Sequence, residues 1–198
     1  MKARAGTPKR NCRQSILLAA QKLFARFGPR KTTVDEIIKL AQTAKGTFYK
    51  YFPDKEALFR EIIDRENENL IAAIRRAVDE ASSPREKLRA FLLVRAKKIQ
   101  ESVNLYHVTQ EMVDEYWPMI SDVRERHFVE EQKIVHEILL DGVRTGQLTV
   151  DKPSLTAYAI VMAVKGLEIP WMLETSSMDL EEGIDVLLNV LFKGIEPR

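Results

Sequence analysis

Helix-start signals recur along this chain of 198 residues, and they constrain its fold more than any other feature. Thr33 with Glu36, and Asp179 with Glu182, have the spacing of a capping box, in which each side chain bonds the other residue's backbone N–H. The run Ser83 to Glu86 adds a proline at the first helical position. Apolar residues at helical spacing follow each start, and no stretch alternates apolar and polar residues for the length of a strand. We therefore predict an all-α fold.

The periodicity predicts three short helices followed by six longer ones. Their expected ranges are about 11–27, 33–41, 45–51, 54–81, 83 onward, 105–116, 119–144, 151–169 and 179–194. Gly28-Pro29 should end the first helix and Pro170 the eighth. The fifth helix carries Leu88, Phe91, Leu92, Arg95 and Ile99. We expect a disordered basic arm over 1–10, one domain over 11–53 and a second over 54–198.

The net charge of +2 conceals a strong asymmetry. Residues 1–60 contain 14 Lys and Arg against 4 Asp and Glu, a net charge of +10. Residues 61–198 contain 17 against 25, a net charge of −8. This distribution favours a polyanion as the partner of the N-terminal part, which is joined to an acidic body.

The run Lys45–Phe52, KGTFYKYF, concentrates groups that can contact nucleic acid on one short helix. Together with the preceding helix it predicts a helix-turn-helix over about 33–52. Apolar residues can fasten the two helices together, and small residues at the start of the second keep it slim enough for a major groove about 12 Å wide. The apolar residues expected to pack between the two helices are Ile37, Ile38, Ala41, Phe48 and Phe52.

The cationic and hydroxyl side chains of this module are candidate DNA contacts. Lys45 and Lys50 can neutralise phosphates or reach a guanine edge, and Thr47 and Tyr49 can contact bases, sugars or phosphates. Helix N-termini favour anions, which adds residues at two further helix starts. The full set is Thr33, Thr43, Lys45, Gly46, Thr47, Tyr49, Lys50 and Lys55.

Residues 11–60 resemble the N-terminal domain of the TetR/AcrR family of bacterial transcriptional regulators. The likeness rests on the helix from Ile16 to Gly28, on Thr33–Ile37, and above all on the run Ala44–Phe59, AKGTFYKYFPDKEALF. The resemblance implies that the recognition-helix residues face an operator and that Thr33 and Lys55 each hold a phosphate. It also implies a C-terminal six-helix domain that binds an effector and dimerises.

The chain departs from the family pattern at the turn. Gln42 stands where the family usually has glycine, so it must adopt a backbone geometry that glycine reaches more easily. Ala44 stands where serine is common and cannot cap the third helix through its side chain. We expect Thr43 to provide that cap from one position earlier.

The acidic body contains patterns suited to both of its implied roles. Methionine and aromatic residues adapt to apolar ligands, while a stripe of small residues lets helices approach closely. The expected effector contacts are Phe91, Tyr106, His107, Glu111, Met112, Tyr116, Trp117, Phe128, Met162, Glu168 and Trp171. The expected dimer interface is Ala159, Ala163, Gly166, Ile184, Leu187, Leu188 and Leu191; internal packing of the same helices is the alternative.

Enzymatic chemistry has little support in the sequence. The three histidines lack a glutamate three residues earlier, so the Glu-x-x-His pair of helical di-iron sites is missing, and a single cysteine, Cys12, gives no internal disulfide. We expect no cofactor, no metal, no membrane span and a cytoplasmic location. The predicted function is a homodimeric regulator, a repressor released from a palindromic operator by an apolar or aromatic molecule. A helical enzyme or an interaction adaptor without sequence-specific DNA binding remains the alternative.

Overall fold

The computed structural model describes residues 12–106, 110–173 and 180–195, with side chains for 12–102, 113–166 and 181–193. This part of the chain contains nine α-helices and no strand, which confirms the all-α prediction. The helices are α1 (Cys12–Lys31), α2 (Val34–Ala41), α3 (Lys45–Tyr51), α4 (Lys55–Glu80), α5 (Pro84–Tyr106), α6 (Gln110–Tyr116), α7 (Ser121–Arg144), α8 (Pro153–Leu173) and α9 (Leu180–Ile195), with a 3₁₀ turn at Pro118–Ile120 between α6 and α7.

Local signals set the helix starts where the sequence predicted them. The Thr33 hydroxyl accepts the Glu36 N–H at 3.3 Å, and the Thr33 N–H donates to Glu36 Oε2 at 2.8 Å. The Ser83 hydroxyl accepts the Glu86 N–H at 3.2 Å, and Glu86 Oε2 accepts the Ser83 N–H at 2.9 Å. These two capping boxes satisfy donors that a helix N-terminus otherwise leaves open. The third predicted box includes Asp179, which lies outside the described residues.

Gly28 interrupts α1 as predicted. Its backbone, at φ 77° and ψ 155°, is not helical and lies in the positive-φ range that glycine tolerates. One further helical turn follows from Pro29 to Lys31, which the sequence did not predict. The buried Thr32 hydroxyl donates to the Gly28 carbonyl oxygen at 2.9 Å and ties that turn to the end of the long segment.

Two helices extend beyond their predicted limits. The helix α5 continues to Tyr106, so the next helix begins at Gln110 rather than near 105. The prediction that Pro170 ends the eighth helix was wrong, because α8 continues to Leu173. A proline inside a helix costs about 3 kcal/mol, but the apolar face of α8, including Val161 and Val164, is buried in a core that holds the helix in place.

The chain divides into two compact units. The N-terminal unit extends to Ile63 and the C-terminal unit begins at Asp64, so α4 contributes to both. Buried side chains from α1 to α4 form the core of the N-terminal unit: Ile16, Leu17, Ala20, Phe24, Ile37, Ala41, Phe48, Phe52, Leu58, Phe59 and Ile62. The Phe24 and Phe59 rings meet edge to face within it, with centroids 5.8 Å apart.

A continuous apolar core joins five helices of the C-terminal unit. It draws Leu70 and Ile74 from α4, Phe91 from α5, Val135 from α7 and Val161 from α8, together with side chains of α9. Among the described residues, no helix is long and apolar enough to cross a membrane. The same residues contain no cluster of three His, Cys, Asp or Glu side chains that could hold a metal ion.

Candidate nucleic-acid interface

The turn between α2 and α3 is a Schellman motif built on Gln42. Gln42 adopts φ 52° and ψ 49°, a left-handed conformation that glycine reaches more easily, as the family resemblance implied for this position. The Gln42 N–H donates to the Lys39 carbonyl oxygen at 3.3 Å, and the Thr43 N–H donates to the Ile38 carbonyl oxygen at 3.1 Å. These two bonds close the last turn of α2 and direct the chain into α3.

The helix α3 is anchored by one aromatic face. Phe48 is fully buried, and its ring lies 5.3 Å from the Tyr49 ring and 5.9 Å from the Phe52 ring, measured between centroids. Phe52 is itself buried and lies beneath the Arg13 guanidinium at 5.4 Å. This packing fixes the rotation of α3, and so determines which side chains it turns outward.

The outward face of α3 presents most of the predicted DNA contacts. Lys45, Gly46, Tyr49 and Lys50 are exposed, and Thr47 is half-buried. No atom lies within 4 Å of the position a Cβ would take at Gly46, so the leading end of the helix is open. Lys50 has no hydrogen-bond or ion-pair partner in the described part of the chain. The helix therefore offers a slim, cationic and hydroxyl-bearing surface of the kind that enters a major groove.

Lys45 is held by an acidic neighbour that sequence reasoning missed. Its Nζ lies 2.9 Å from Oδ1 of Asp35, which stands in the first turn of α2. The hydrogen bond and charge of Asp35 raise the pKa of Lys45. Both side chains are more than half exposed, so a competing anion can reach the pair.

The predicted role of Lys55 needs correction. Its Nζ donates to the carbonyl oxygens of Pro29 at 2.7 Å, Thr32 at 2.8 Å and Arg30 at 3.2 Å. The ammonium thus satisfies carbonyls at the end of α1 rather than projecting as a phosphate clamp. The prediction was based on the helix start and on the family resemblance, and nothing local in the sequence indicates these distant acceptors.

The start of α3 also differs from prediction. Ala44 is the N-cap and provides no side-chain bond, and the expected cap from Thr43 does not form. Thr43 is half-buried, and its backbone closes the preceding turn instead. The Thr33 hydroxyl, predicted to hold a phosphate, is exposed and engaged with Glu36 in the capping box. Two hydrogen bonds from Thr33 lower the pKa of Glu36, and the bond from the Thr33 backbone N–H has the larger effect.

Comparison with known proteins agrees with this geometry. The family model for bacterial regulatory proteins of the tetR family matches residues 16–62, and the model for the tetracyclin repressor-like C-terminal domain matches residues 84–184. The chain belongs to the TetR family. YhgD of Bacillus subtilis, an uncharacterized HTH-type transcriptional regulator, is 29% identical over 188 residues, which span 91% of this chain and 94% of YhgD. This TetR-family chain is accordingly a DNA-binding transcriptional regulator.

Solved structures show the same fold. A transcriptional regulator from Cytophaga hutchinsonii superimposes with a TM-score of 0.76 at 23% identity, over 93% of this chain and 98% of that chain. The fatty acid degradation regulator FadR from Bacillus halodurans superimposes with a TM-score of 0.68 at 24% identity, over 95% and 96% of the two chains. The TetR-family architecture therefore extends over both units.

The C-terminal unit of the TetR-family chain places the expected effector contacts in different environments. Phe91 and Phe128 are buried in the core, and Tyr116 is 8% exposed. Trp117 is half-buried beneath the Arg124 guanidinium, 3.8 Å from the ring centroid. Met162 is 45% exposed on α8. The remaining side chains of that set lie outside the described ones: Tyr106, His107, Glu111, Met112, Glu168 and Trp171.

The expected dimer residues separate into two groups. Ala159, Ala163 and Gly166 are exposed on one face of α8, with open space around the Cα of Gly166. On α9 the prediction was wrong for Ile184 and Leu188, which are 1% exposed within the core of their own unit. Leu187 and Leu191 are half-buried. The outward face of α9 instead carries Val186 and Val190, at 59% and 69% exposure.

Two polar contacts in the C-terminal unit escaped the sequence analysis. Arg95 Nε donates to Glu131 Oε2 at 2.9 Å, and both residues are 3% exposed between α5 and α7. A charged residue on an otherwise apolar helix face was the available signal. The second contact joins His127 Nε2 to Asp64 Oδ1 at 2.8 Å, and Arg126 lies 3.2 Å from the same oxygen. This contact stands at one end of an open cleft of about 660 Å³ between α4 and α7.

Proposed function

We propose that this TetR-family regulator is a cytoplasmic, homodimeric repressor whose operator is palindromic and whose effector is an apolar or aromatic small molecule. The observation that supports it most directly is the exposed cationic and hydroxyl face of α3, fixed in rotation by the buried Phe48. A recognition helix presented in this way can contact base edges, while flanking groups hold phosphates.

The proposed operator contacts come from α3 and its approaches. Lys50 and Lys45 supply charge, Thr47 and Tyr49 supply base and sugar contacts, and Gly46 permits close approach. Thr33 and Thr43 lie just before α2 and α3, and their hydroxyl groups are proposed to approach phosphates that flank the groove. Lys55 is not included, because its ammonium is occupied within the protein.

Dimerisation is proposed through the outward faces of α8 and α9. Leu155, at 60% exposure, extends the small-residue stripe of Ala159, Ala163 and Gly166 along α8. Val186 and Val190 provide an apolar strip on α9. Exposed apolar strips of this kind favour a self-complementary interface between two copies of the chain. A two-fold dimer would let two recognition helices read half-sites about 34–36 Å apart.

An apolar effector is proposed from the composition of the C-terminal unit. Its core is built from aromatic and branched aliphatic side chains, with Phe91 and Phe128 inside it. Tyr116 is buried as well, at 8% exposure. FadR of Bacillus halodurans, which shares the fold, is a fatty acid degradation regulator. We propose that the effector binds in this unit and biases the repressor toward a state with lower operator affinity.

Selection of binding sites from random double-stranded DNA tests the central proposal. The expected result is a two-fold symmetric site bound by a dimer, with affinity that falls steeply as salt rises. Thr47→Ala should relax preference at particular base pairs, while Lys50→Ala should weaken all sites and reduce the salt slope by about one. Recovery of no preferred site, or binding that is indifferent to salt, would contradict the proposal.

The dimer interface has its own test. Ala163→Glu places a charge on the exposed face of α8, and sedimentation velocity should show a shift from dimer to monomer. Glu80→Lys at the exposed end of α4, which carries none of the proposed interface residues, serves as a surface control and should leave the association state unchanged. A dimer that survives Ala163→Glu would place the interface elsewhere.

A further inference from the structure

Asp35 and Lys45 form an ion pair within the proposed DNA-binding surface. Asp35 is the second residue of α2, and Lys45 is the first residue of α3. Lys45 Nζ lies 2.9 Å from Asp35 Oδ1, with side-chain exposures of 59% and 70%. The neighbouring acid, Glu36, is committed to the Thr33 capping box and does not replace Asp35. The pair therefore links α2 and α3, the two helices of the helix-turn-helix, at the N-terminal end of α3.

The pair changes what Lys45 can attract. A free ammonium is drawn to phosphate by its net charge, whereas the pair has a net charge of zero. A phosphate that approaches Lys45 also meets the Asp35 carboxylate, which repels it. A guanine edge is neutral, so Asp35 does not repel it in the same way. An ammonium has three donors, and two remain for O6 and N7 of guanine while the third stays on Asp35.

We propose that Asp35 is a specificity-determining residue: it withholds Lys45 from phosphates and leaves it able to read a base edge. Non-specific affinity comes almost entirely from phosphate contacts, while operator affinity also uses base contacts. Asp35 therefore weakens binding to arbitrary DNA more than binding to the operator. This inference rests on the proposed role of α3 in operator recognition.

Asp35→Asn is the direct test, measured against the selected operator and against a scrambled duplex over a range of salt concentrations. Freeing Lys45 should tighten binding to scrambled DNA about three- to fivefold, the scale of an exposed ion pair. It should steepen the salt slope on scrambled DNA by about one phosphate, or 0.9. Affinity for the operator should change less, so the ratio of operator affinity to scrambled-DNA affinity should fall.

Glu56→Gln is a matched control. Glu56 is the second residue of α4, as Asp35 is of α2, so both substitutions remove one negative charge from the same helix position. Glu56 is exposed and has no ion pair among the described residues. The Glu56→Gln substitution should therefore leave the salt slope and the ratio of operator affinity to scrambled-DNA affinity close to the wild-type values. Equal effects from the two variants would mean that Asp35 acts only through overall charge, and would overturn the proposal.

A double-mutant cycle with Lys45→Met isolates the pair. If Asp35 acts through Lys45, Asp35→Asn should lose most of its effect on scrambled DNA when Lys45 is already absent. An effect of the same size in both backgrounds would overturn the inference. Asp35→Ser provides a second variant should the asparagine perturb α2, and circular dichroism verifies that each variant is folded.

Failure of the inference and failure of the proposed function are distinguishable. A wild-type protein without salt-dependent binding to duplex DNA would defeat the proposed function and this inference with it. A wild-type protein that binds an operator, with Asp35→Asn leaving both slope and ratio unchanged, would defeat the inference alone. NMR of the Lys45 ammonium in the DNA-free protein tests the pair itself: its pKa should fall in Asp35→Asn and stay unchanged in Glu56→Gln.

Discussion

The Lys55 ammonium donates to the Pro29 carbonyl oxygen at 2.7 Å, between residues 26 positions apart in sequence. The same nitrogen bonds the Thr32 carbonyl at 2.8 Å and the Arg30 carbonyl at 3.2 Å. Three of the carbonyl oxygens that follow Gly28 are thereby satisfied by one side chain from the start of α4. Lys55 thus links the start of α4 to the connection between α1 and α2. The helix-turn-helix of α2 and α3 follows directly after that connection.

Lys55→Met should destabilise the protein by about 1–3 kcal/mol, because hydrogen bonds to a charged group are stronger than neutral ones and two partly buried carbonyls would lose their partner. Urea denaturation measures the change. Lys50→Met is a suitable control, since Lys50 is exposed and unpaired in the described part of the chain, and it should change stability by less than about 0.5 kcal/mol. A stable Lys55→Met protein with a reduced DNA salt slope would restore the original phosphate-clamp prediction.

The buried pair of Arg95 and Glu131 gives a second expectation. Glu131→Leu should cost about 3–5 kcal/mol, since it leaves the guanidinium charge buried without its carboxylate. The double variant Arg95→Met with Glu131→Leu should recover most of that loss, because apolar side chains of similar volume suit the surrounding core. Denaturant unfolding of the two single variants and the double variant provides the measurement. Additive losses in the double variant would show that the pair is not energetically coupled.

The sequence predicted those features that depend on neighbouring residues in the chain. The bounds of α3, the capping boxes at Thr33 and Ser83, and the break at Gly28 all follow from side chains within a few positions of one another. The conformation of Gln42 was expected from the family resemblance, because glycine usually stands at that position of the turn.

Features that depend on distant packing were not predictable in this way. The acceptors of Lys55 belong to another helix, and the partner of Arg95 lies 36 positions away. The apolar residues of α9 identified a helix but not its orientation. Ile184 was assigned to the dimer interface, with internal packing as the alternative, and it lies in the core. Pro170 was read as a helix end because its local cost is visible in sequence, whereas the packing that holds α8 is not.

Replacing Gln42 with glycine should increase the stability of the protein. The φ of 52° at Gln42 places a side chain in the left-handed region, which costs a non-glycine residue about 1–2 kcal/mol. Gln42→Gly should therefore stabilise the protein by about 1 kcal/mol, reduced somewhat by the greater freedom of glycine in the unfolded chain. Thermal unfolding gives the sign. Gln21→Gly, inside α1, is the matched control and should destabilise by about 1 kcal/mol.

Asp64 should make stability depend on pH in the acid range. Burial raises the pKa of its carboxyl, but hydrogen bonds from His127 and Arg126 and their charges outweigh burial, so the pKa lies below its ordinary value of 3.8. A carboxyl with a depressed pKa in the folded state contributes stability that is complete above its unfolded value and is lost as the pH falls through the folded value.

Asp64→Asn removes this contribution, and the expected result is a difference in stability that itself depends on pH. The variant should be less stable than wild type by roughly 1 kcal/mol near neutral pH, an amount moderated by the partial exposure of the carboxylate. The difference should shrink as the pH falls below about 4, where wild-type Asp64 becomes protonated and loses its charged bonds.

Urea denaturation between about pH 3 and pH 7 follows the stability of both proteins. Asp151→Asn, at an exposed position, should show no such convergence. A constant gap between wild type and Asp64→Asn across this range would mean that the charge of Asp64 contributes nothing to the stability of the contact with His127 and Arg126.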